Sequence, residues 1–172
     1  MNRLLRRLLG REPAPDGSIG ALEPDEHVLA WAAIVGGGHL VTTSHGIWFP
    51  DPDEPRRVGW HLVSKATWQG GALVLVEAVE EDTLDGVVLL ADRPPRRFGL
   101  GEPGKVPQVV HERVTGSIRS RHHRGLPGGG AWFVQRKVAG RGKYVLQVRP
   151  DPGTDRELVR RLAAEVGRQL PS

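Results

Sequence analysis

Seven histidines, at positions 27, 39, 45, 61, 111, 122 and 123, are the first residues to weigh for chemistry. Zinc hydrolases pair two histidines on one helix face with a glutamate beside them. No His-Glu-x-x-His or His-x-x-Glu-His pattern occurs. His122 and His123 would point to opposite sides of a strand, so they could not chelate together. Glu80-Glu81-Asp82 with Asp85 offers hard oxygen ligands without the spacing of a calcium loop, and a solvated acidic tip is expected there. Two glycine runs could cradle a phosphate. Gly36-Gly37-Gly38 is followed neither by Lys-Ser/Thr nor by a helix, and Gly128-Gly129-Gly130 leads into a strand, so neither offers a helix N-terminus to an anion. Cysteine is absent, which removes thiolate metal sites and cysteine nucleophiles. No nucleophile, base and orienting group converge by spacing. The expectation is a non-catalytic chain with no metal and no cofactor.

Two clusters point to binding instead. The first is Arg119, Arg121, Arg124, Arg136, Lys137, Arg141 and Lys143. Guanidinium and ammonium groups neutralise phosphates, and the nearby Trp132, Phe133 and Tyr144 could stack on bases, so this is a candidate polyanion site. Alternation along an extended segment would put Arg119 and Arg121 on one face. The same three rings also suit a buried sheet face, and that is the reading favoured for them. The second cluster is Arg3, Leu4, Leu5, Arg6, Arg7, Leu8 and Leu9, a basic amphipathic pattern of the membrane-surface kind. It is short, since isolated helices below ~12–15 residues are marginal in water. A helix docked on its own domain, or a frayed terminus, is the reading favoured over a membrane contact.

Charge is laid out unevenly. Residues 12–92 carry 14 acids against three bases, and residues 111–149 carry nine bases against one acid. Either the two halves face each other in the fold, or the basic half presents a face to a polyanion. No apolar run reaches the ~20 residues needed to span a bilayer, and the N-terminus lacks a signal-peptide core. A cytoplasmic location is expected, with the inner membrane face as a peripheral alternative.

The elements that must position these residues are mostly short strands. Alternation and turn residues predict strands over 28–34, 39–43, 46–49, 57–63, 65–69, 72–79, 86–91 and 97–100. A switch to helical period covers Lys105–Ile118, with Val106, Val109, Val110, Val114 and Ile118 on one stripe and Pro107 in the first turn. Residues 131–138 and 144–149 form a hairpin. Thr154 and Glu157 have the spacing of a capping box ahead of a helix whose apolar face is Leu158, Leu162, Val166 and Leu170. Three regions follow: a basic N-terminus and linker over 1–24, a barrel and helix over 25–118, and a hairpin plus helix over 119–172.

The rhythm of His39–Phe49 (HLVTTSHGIWF), Arg57–Trp68 (RVGWHLVSKATW) and Ala72–Val79, followed by one helix, resembles a pleckstrin-homology-like (PH-like) domain. It is similar to uncharacterised actinobacterial proteins of this length. The resemblance implies a mainly β, α+β fold: a curled antiparallel barrel with a helix capping one end, and the C-terminal hairpin and helix added to it. It implies a binding or adaptor role, with another protein as the leading partner. Nucleic acid through 119–143 and an anionic membrane surface through 1–11 are the alternatives. Phosphoinositide-binding members carry basic residues around the first hairpin loop. Here that loop is Val35-Gly36-Gly37-Gly38, so head-group recognition is not expected.

Overall fold

The computed structural model describes residues 13–171. Four strands form a first antiparallel sheet: β1 (Val28–Ala33), β2 (His39–Thr43), β3 (Gly46–Phe49) and β4 (Arg56–Gly59), in that order. The chain then turns a corner through one 3-10 turn, Trp60–Leu62, and enters a second sheet. Its strands are β5 (Val63–Gln69), β6 (Ala72–Leu84), β7 (Val87–Asp92), β8 (Arg96–Gly99), β9 (Ile118–Leu126), β10 (Gly129–Val138) and β11 (Lys143–Pro150). Helices α1 (Val106–Gly116) and α2 (Arg156–Arg168) complete the chain.

The protein is mainly β, with a curled antiparallel barrel closed at one end by a helix, as the strand pattern predicts. The barrel is β1–β4 facing β5, β6 and β8. It closes where Ile34 bridges to Leu100 and the Val35 N–H donates to the Gly99 carbonyl at 2.8 Å. Inward positions of both sheets supply one core: Leu40, Ile47, Phe49, Val58, Trp60, Val63, Leu73, Leu75, Phe98 and Leu100 are all buried. From α1, Val106 and Val110 enter this core, with Val114 packed behind them. The helix stops at Gly116, two residues short of the expected end, because Ile118 already pairs in β9.

Three differences from the sequence pattern matter for function. First, Glu80-Glu81-Asp82 is no tip. β6 runs through it to Leu84, and the turn is Asp85-Gly86, both at positive φ. Second, the C-terminal hairpin is the inner part of a three-stranded meander. β9 pairs with β10, β10 with β11, and β11 lies parallel to β7. Helix α2 covers this meander's inner face, where Val159 and Ala163 meet Val87, Phe133 and Val148 in a second core. Third, the cap of α2 is Asp155, whose Oδ1 accepts from the Glu157 and Leu158 N–H groups at 2.8 and 3.3 Å. Thr154 is occupied elsewhere: its Oγ accepts from the Gly130 N–H and donates to the Gly130 carbonyl, both at 3.1 Å.

The segment before β1 lies on the barrel. A Cβ on Gly20 would sit 3.1 Å from the Trp48 ring. Glu26 is anchored in the wall. It accepts from the Thr43 hydroxyl at 2.6 Å and from Trp48 Nε1 at 3.1 Å, and it pairs with Arg57. Burial alone would push this carboxyl up. The hydrogen bonds from Thr43, the Glu23 backbone and Trp48, with the Arg57 charge, outweigh that and hold it below the usual carboxylate range.

Candidate binding edge on β9

β9 is the last strand of its sheet, and among the described residues only β10 pairs with it. Its outer row of backbone N–H and C=O groups is unpaired by any other strand. Such an edge invites pairing with another chain unless charge or a bulge protects it. β9 carries both protections. Six of its nine residues, Arg119 and Arg121 to Gly125, are exposed, which leaves the strand open to solvent along most of its length.

The register fixes where each side chain stands. From Ser120 to Leu126 the pairing with β10 is regular, with His123 opposite Trp132 and His122 opposite Phe133. Arg121 and His123 therefore share the Trp132 face, while Ser120, His122 and Arg124 share the face of Phe133. The register shifts at the start of the strand, where Ile118 pairs with Arg136 and Ser120 with Gln135. Arg119 is the extra residue of this bulge. The expectation that Arg119 and Arg121 share a face fails for that reason, since a bulge reverses the alternation. The Arg119 guanidinium lies 4.9 Å from the Tyr144 ring centre, and Arg121 lies 4.9 Å from that of Trp132. These two stacks sit on opposite faces of one sheet.

The rings also differ from expectation. Phe133 is buried beneath α2, but Trp132 and Tyr144 are 37% and 46% exposed. Helix α2 covers only one face and only part of it. His123 edges Trp132, with ring centres 5.0 Å apart, and its Nε2 meets Asp151 Oδ2 at 2.7 Å. His122 and His123 do face opposite ways, and no cluster of three or more metal-ligating side chains forms among the described residues.

Arg136 leaves the basic cluster altogether. It is 3% exposed, because β10 turns its Val134–Arg136 face onto the barrel corner. Its Nε donates to Ser117 Oγ at 2.9 Å, Nη1 to the Val63 carbonyl at 3.0 Å, and Nη2 to the Trp60 carbonyl at 2.6 Å. Burial, with Arg149 and Arg121 nearby, pushes its pKa down to about 10. It is a strut between meander and barrel, aided by Gln147, whose Nε2 donates to the His61 carbonyl at 2.8 Å. Neither residue announces this role in the sequence: alternation alone does not say which face meets the barrel.

Arg124, Lys137, Arg141 and Lys143 remain on the surface, Arg141 in the hairpin loop and Lys143 where β11 leaves it. No ion pair among the described residues involves any of these four, or Arg119 or Arg121. The acids of the first half have other partners. Glu81 pairs with Arg156, Asp82 with Arg160, Asp85 with Arg168 and Asp92 with Arg149. Four acids of the first half thus pair with α2 and the end of β11 rather than with the basic residues of β9, and the β9 edge stays positive. The candidate membrane segment, Arg3, Leu4, Leu5, Arg6, Arg7, Leu8 and Leu9, lies outside the described residues. Among those described, no helix is long and apolar enough to cross a membrane. In comparisons with known proteins, no family model matches this sequence, and no curated protein or solved structure matches it either.

Proposed function

We propose that this chain is a non-catalytic adaptor of the PH-like class that binds an extended acidic segment of another protein along β9. The curled barrel and its capping helix support the class. One observation carries the partner: an unpaired edge strand whose two faces both present arginine beside an exposed aromatic ring. A peptide added as the next strand projects alternate side chains to the two faces. One set of carboxylates would meet Arg121, and the other Arg124 and Arg119. Single-stranded nucleic acid fits less well. Trp132 and Tyr144 stand on opposite faces, so they offer no continuous stacking platform. A second copy of the chain fits worst, because pairing β9 with itself would bring six arginines onto one seam.

The test is titration of the full chain with an eight-residue peptide alternating Glu and Thr, followed by amide chemical shifts. Shifts confined to β9 and its neighbours are expected, with affinity that falls as salt rises. The Arg121→Glu/Arg124→Glu double variant should lose most of the binding. So should a peptide N-methylated at alternate residues, which keeps its charge but cannot form the ladder. Equal binding of the N-methylated peptide, or tighter binding of a poly-dT oligonucleotide at the same salt, would overturn strand addition by an acidic protein segment.

A further inference from the structure

The barrel has an open end away from α1. A cavity of about 290 Å³ enters there between β3–β4 and β6–β8. Its inner walls are Ile47, Phe49, Val58, Val63, Leu75 and Phe98, with no polar side chain among them. A buried water needs two to four polar partners, which these walls do not supply. The space suits an apolar group. At water's ~30 Å³ per heavy atom, the volume holds on the order of ten non-hydrogen atoms.

The mouth has a different chemistry. Arg56, Arg93 and Arg96 face Asp51 and Glu77, three cations against two anions. Arg56 is spoken for: its fork donates to both Glu77 oxygens at 2.7 and 2.8 Å, and its Nε reaches Asp51 at 3.2 Å. Arg96 approaches Asp51 only at 4.0 Å and lies instead over the Phe49 and Phe98 rings, 4.6 and 5.4 Å from their centres. The Arg93 side chain makes no hydrogen bond or ion pair among the described residues. Pro94-Pro95 forms the lip between these two arginines and has no N–H to donate. An arriving anion would meet the Arg93 and Arg96 guanidinium groups, while the mouth's two carboxylates, Asp51 and Glu77, are engaged by Arg56.

From this pairing of an apolar cavity with a cationic mouth, we infer that the barrel binds a small amphipathic monoanion: an unbranched or lightly branched aliphatic body of about ten non-hydrogen atoms, bearing one terminal carboxylate. The body fills the space lined by Phe49, Val58, Leu75 and Phe98, and the carboxylate lies between Arg93 and Arg96. A neutral or cationic amphiphile of equal length would lose this contact. The chain's own Arg-rich leading residues carry the wrong charge for the mouth.

The probe is decanoate, titrated below its micelle concentration into the full chain and followed by calorimetry and by amide and methyl shifts. One molecule per chain is expected, with shifts at Val58, Val63, Leu75 and Phe98. Decanol should bind about tenfold more weakly or worse, as expected from loss of a charge-assisted contact. The Arg93→Glu variant, altered at an exposed position, should fold normally and weaken decanoate about tenfold or more while leaving decanol unchanged. A Leu75→Phe variant that fills the cavity should abolish both. Should Leu75→Phe not fold, methyl shifts in the unaltered chain locate the ligand directly. Decanol binding as tightly as decanoate, stoichiometry well above one, or an Arg93→Glu variant with unchanged affinity would each overturn the inference.

Discussion

Replacing Arg136 should damage the fold and leave the binding edge intact. Its guanidinium makes three hydrogen bonds to neutral acceptors, at 2.6–3.0 Å, from a position 3% exposed. Hydrogen bonds to a charged group contribute about 1.5–3 kcal/mol each, so three contribute ~4–9 kcal/mol. Burial, with the nearby Arg149 and Arg121 charges, opposes them. Lowering the pKa from 12.5 to about 10 corresponds to about 3 kcal/mol spent on keeping the charge, at 1.36 kcal/mol per pKa unit. The difference leaves a net contribution of about 3 kcal/mol, near the middle of the range. Arg136→Met keeps much of the volume, removes the charge and strips the Trp60 and Val63 carbonyls of their guanidinium donors. It should lower unfolding free energy by about 2–4 kcal/mol. Arg136→Lys should be no milder. A single ammonium nitrogen cannot occupy the positions of Nε, Nη1 and Nη2 at once, so a charge stays buried with fewer acceptors. Urea denaturation of both variants, at constant m-value, measures this, and the acidic-peptide titration on the folded fraction should be unchanged. Arg136→Met costing under about 1 kcal/mol while weakening peptide binding would refute the strut and return Arg136 to the binding surface.

His61 makes stability fall with acid. Desolvation first, then the Arg136 and Arg141 charges, hold its pKa at about 4 against 6.5. Between those values the unfolded chain binds a proton that the native state refuses, so stability is lost as pH falls from 6.5 toward 4. The full difference is about 3 kcal/mol, reduced to ~1–2 kcal/mol because the ring is partly exposed. Denaturation midpoints between pH 7 and 5 should slope less in His61→Gln than in the parent. Asp155→Ala should cost about 1 kcal/mol as a lost helix cap, with α2 fraying at its N-terminus by amide exchange. Thr154→Ala should expose the Gly130 amide to exchange instead, as the sequence spacing of a capping box would not foretell. Gly140 and Gly142 share one hairpin loop and both have positive φ, at 75° and 61°. Ala at 142 meets nothing and should cost only the left-handed penalty, ~1–2 kcal/mol. Ala at 140 would place its Cβ 2.5 Å from the His45 ring, so it should cost clearly more and should shift the His45 resonances.

The sequence by itself determined the short-range structure. Alternation in Val28–Ala33, the glycine turn after Ile34 and the helical stripe of Val106, Val110 and Val114 depend on neighbours within one turn or strand. A reader of residues alone can place them. The same local logic set the class of the C-terminal helix and missed its cap by one residue, because Thr154 is claimed by Gly130, 24 positions away. What the tertiary structure decided was which face of each element is inside. β10 alternates faithfully, yet alternation cannot say that the Val134–Arg136 face meets the barrel corner, or that α2 stops short of Tyr144. One bulge at Arg119 then reversed the face of a single arginine. The charge pattern shows the same limit. Its acidic and basic halves are plain in the sequence, but the partners of Glu81, Asp82 and Asp85 are the arginines of α2, brought there by the parallel pairing of β7 with β11. Side-chain direction is a local property of the chain. Burial and charge pairing depend on what the other end of the chain places opposite, and only the packed structure sets that.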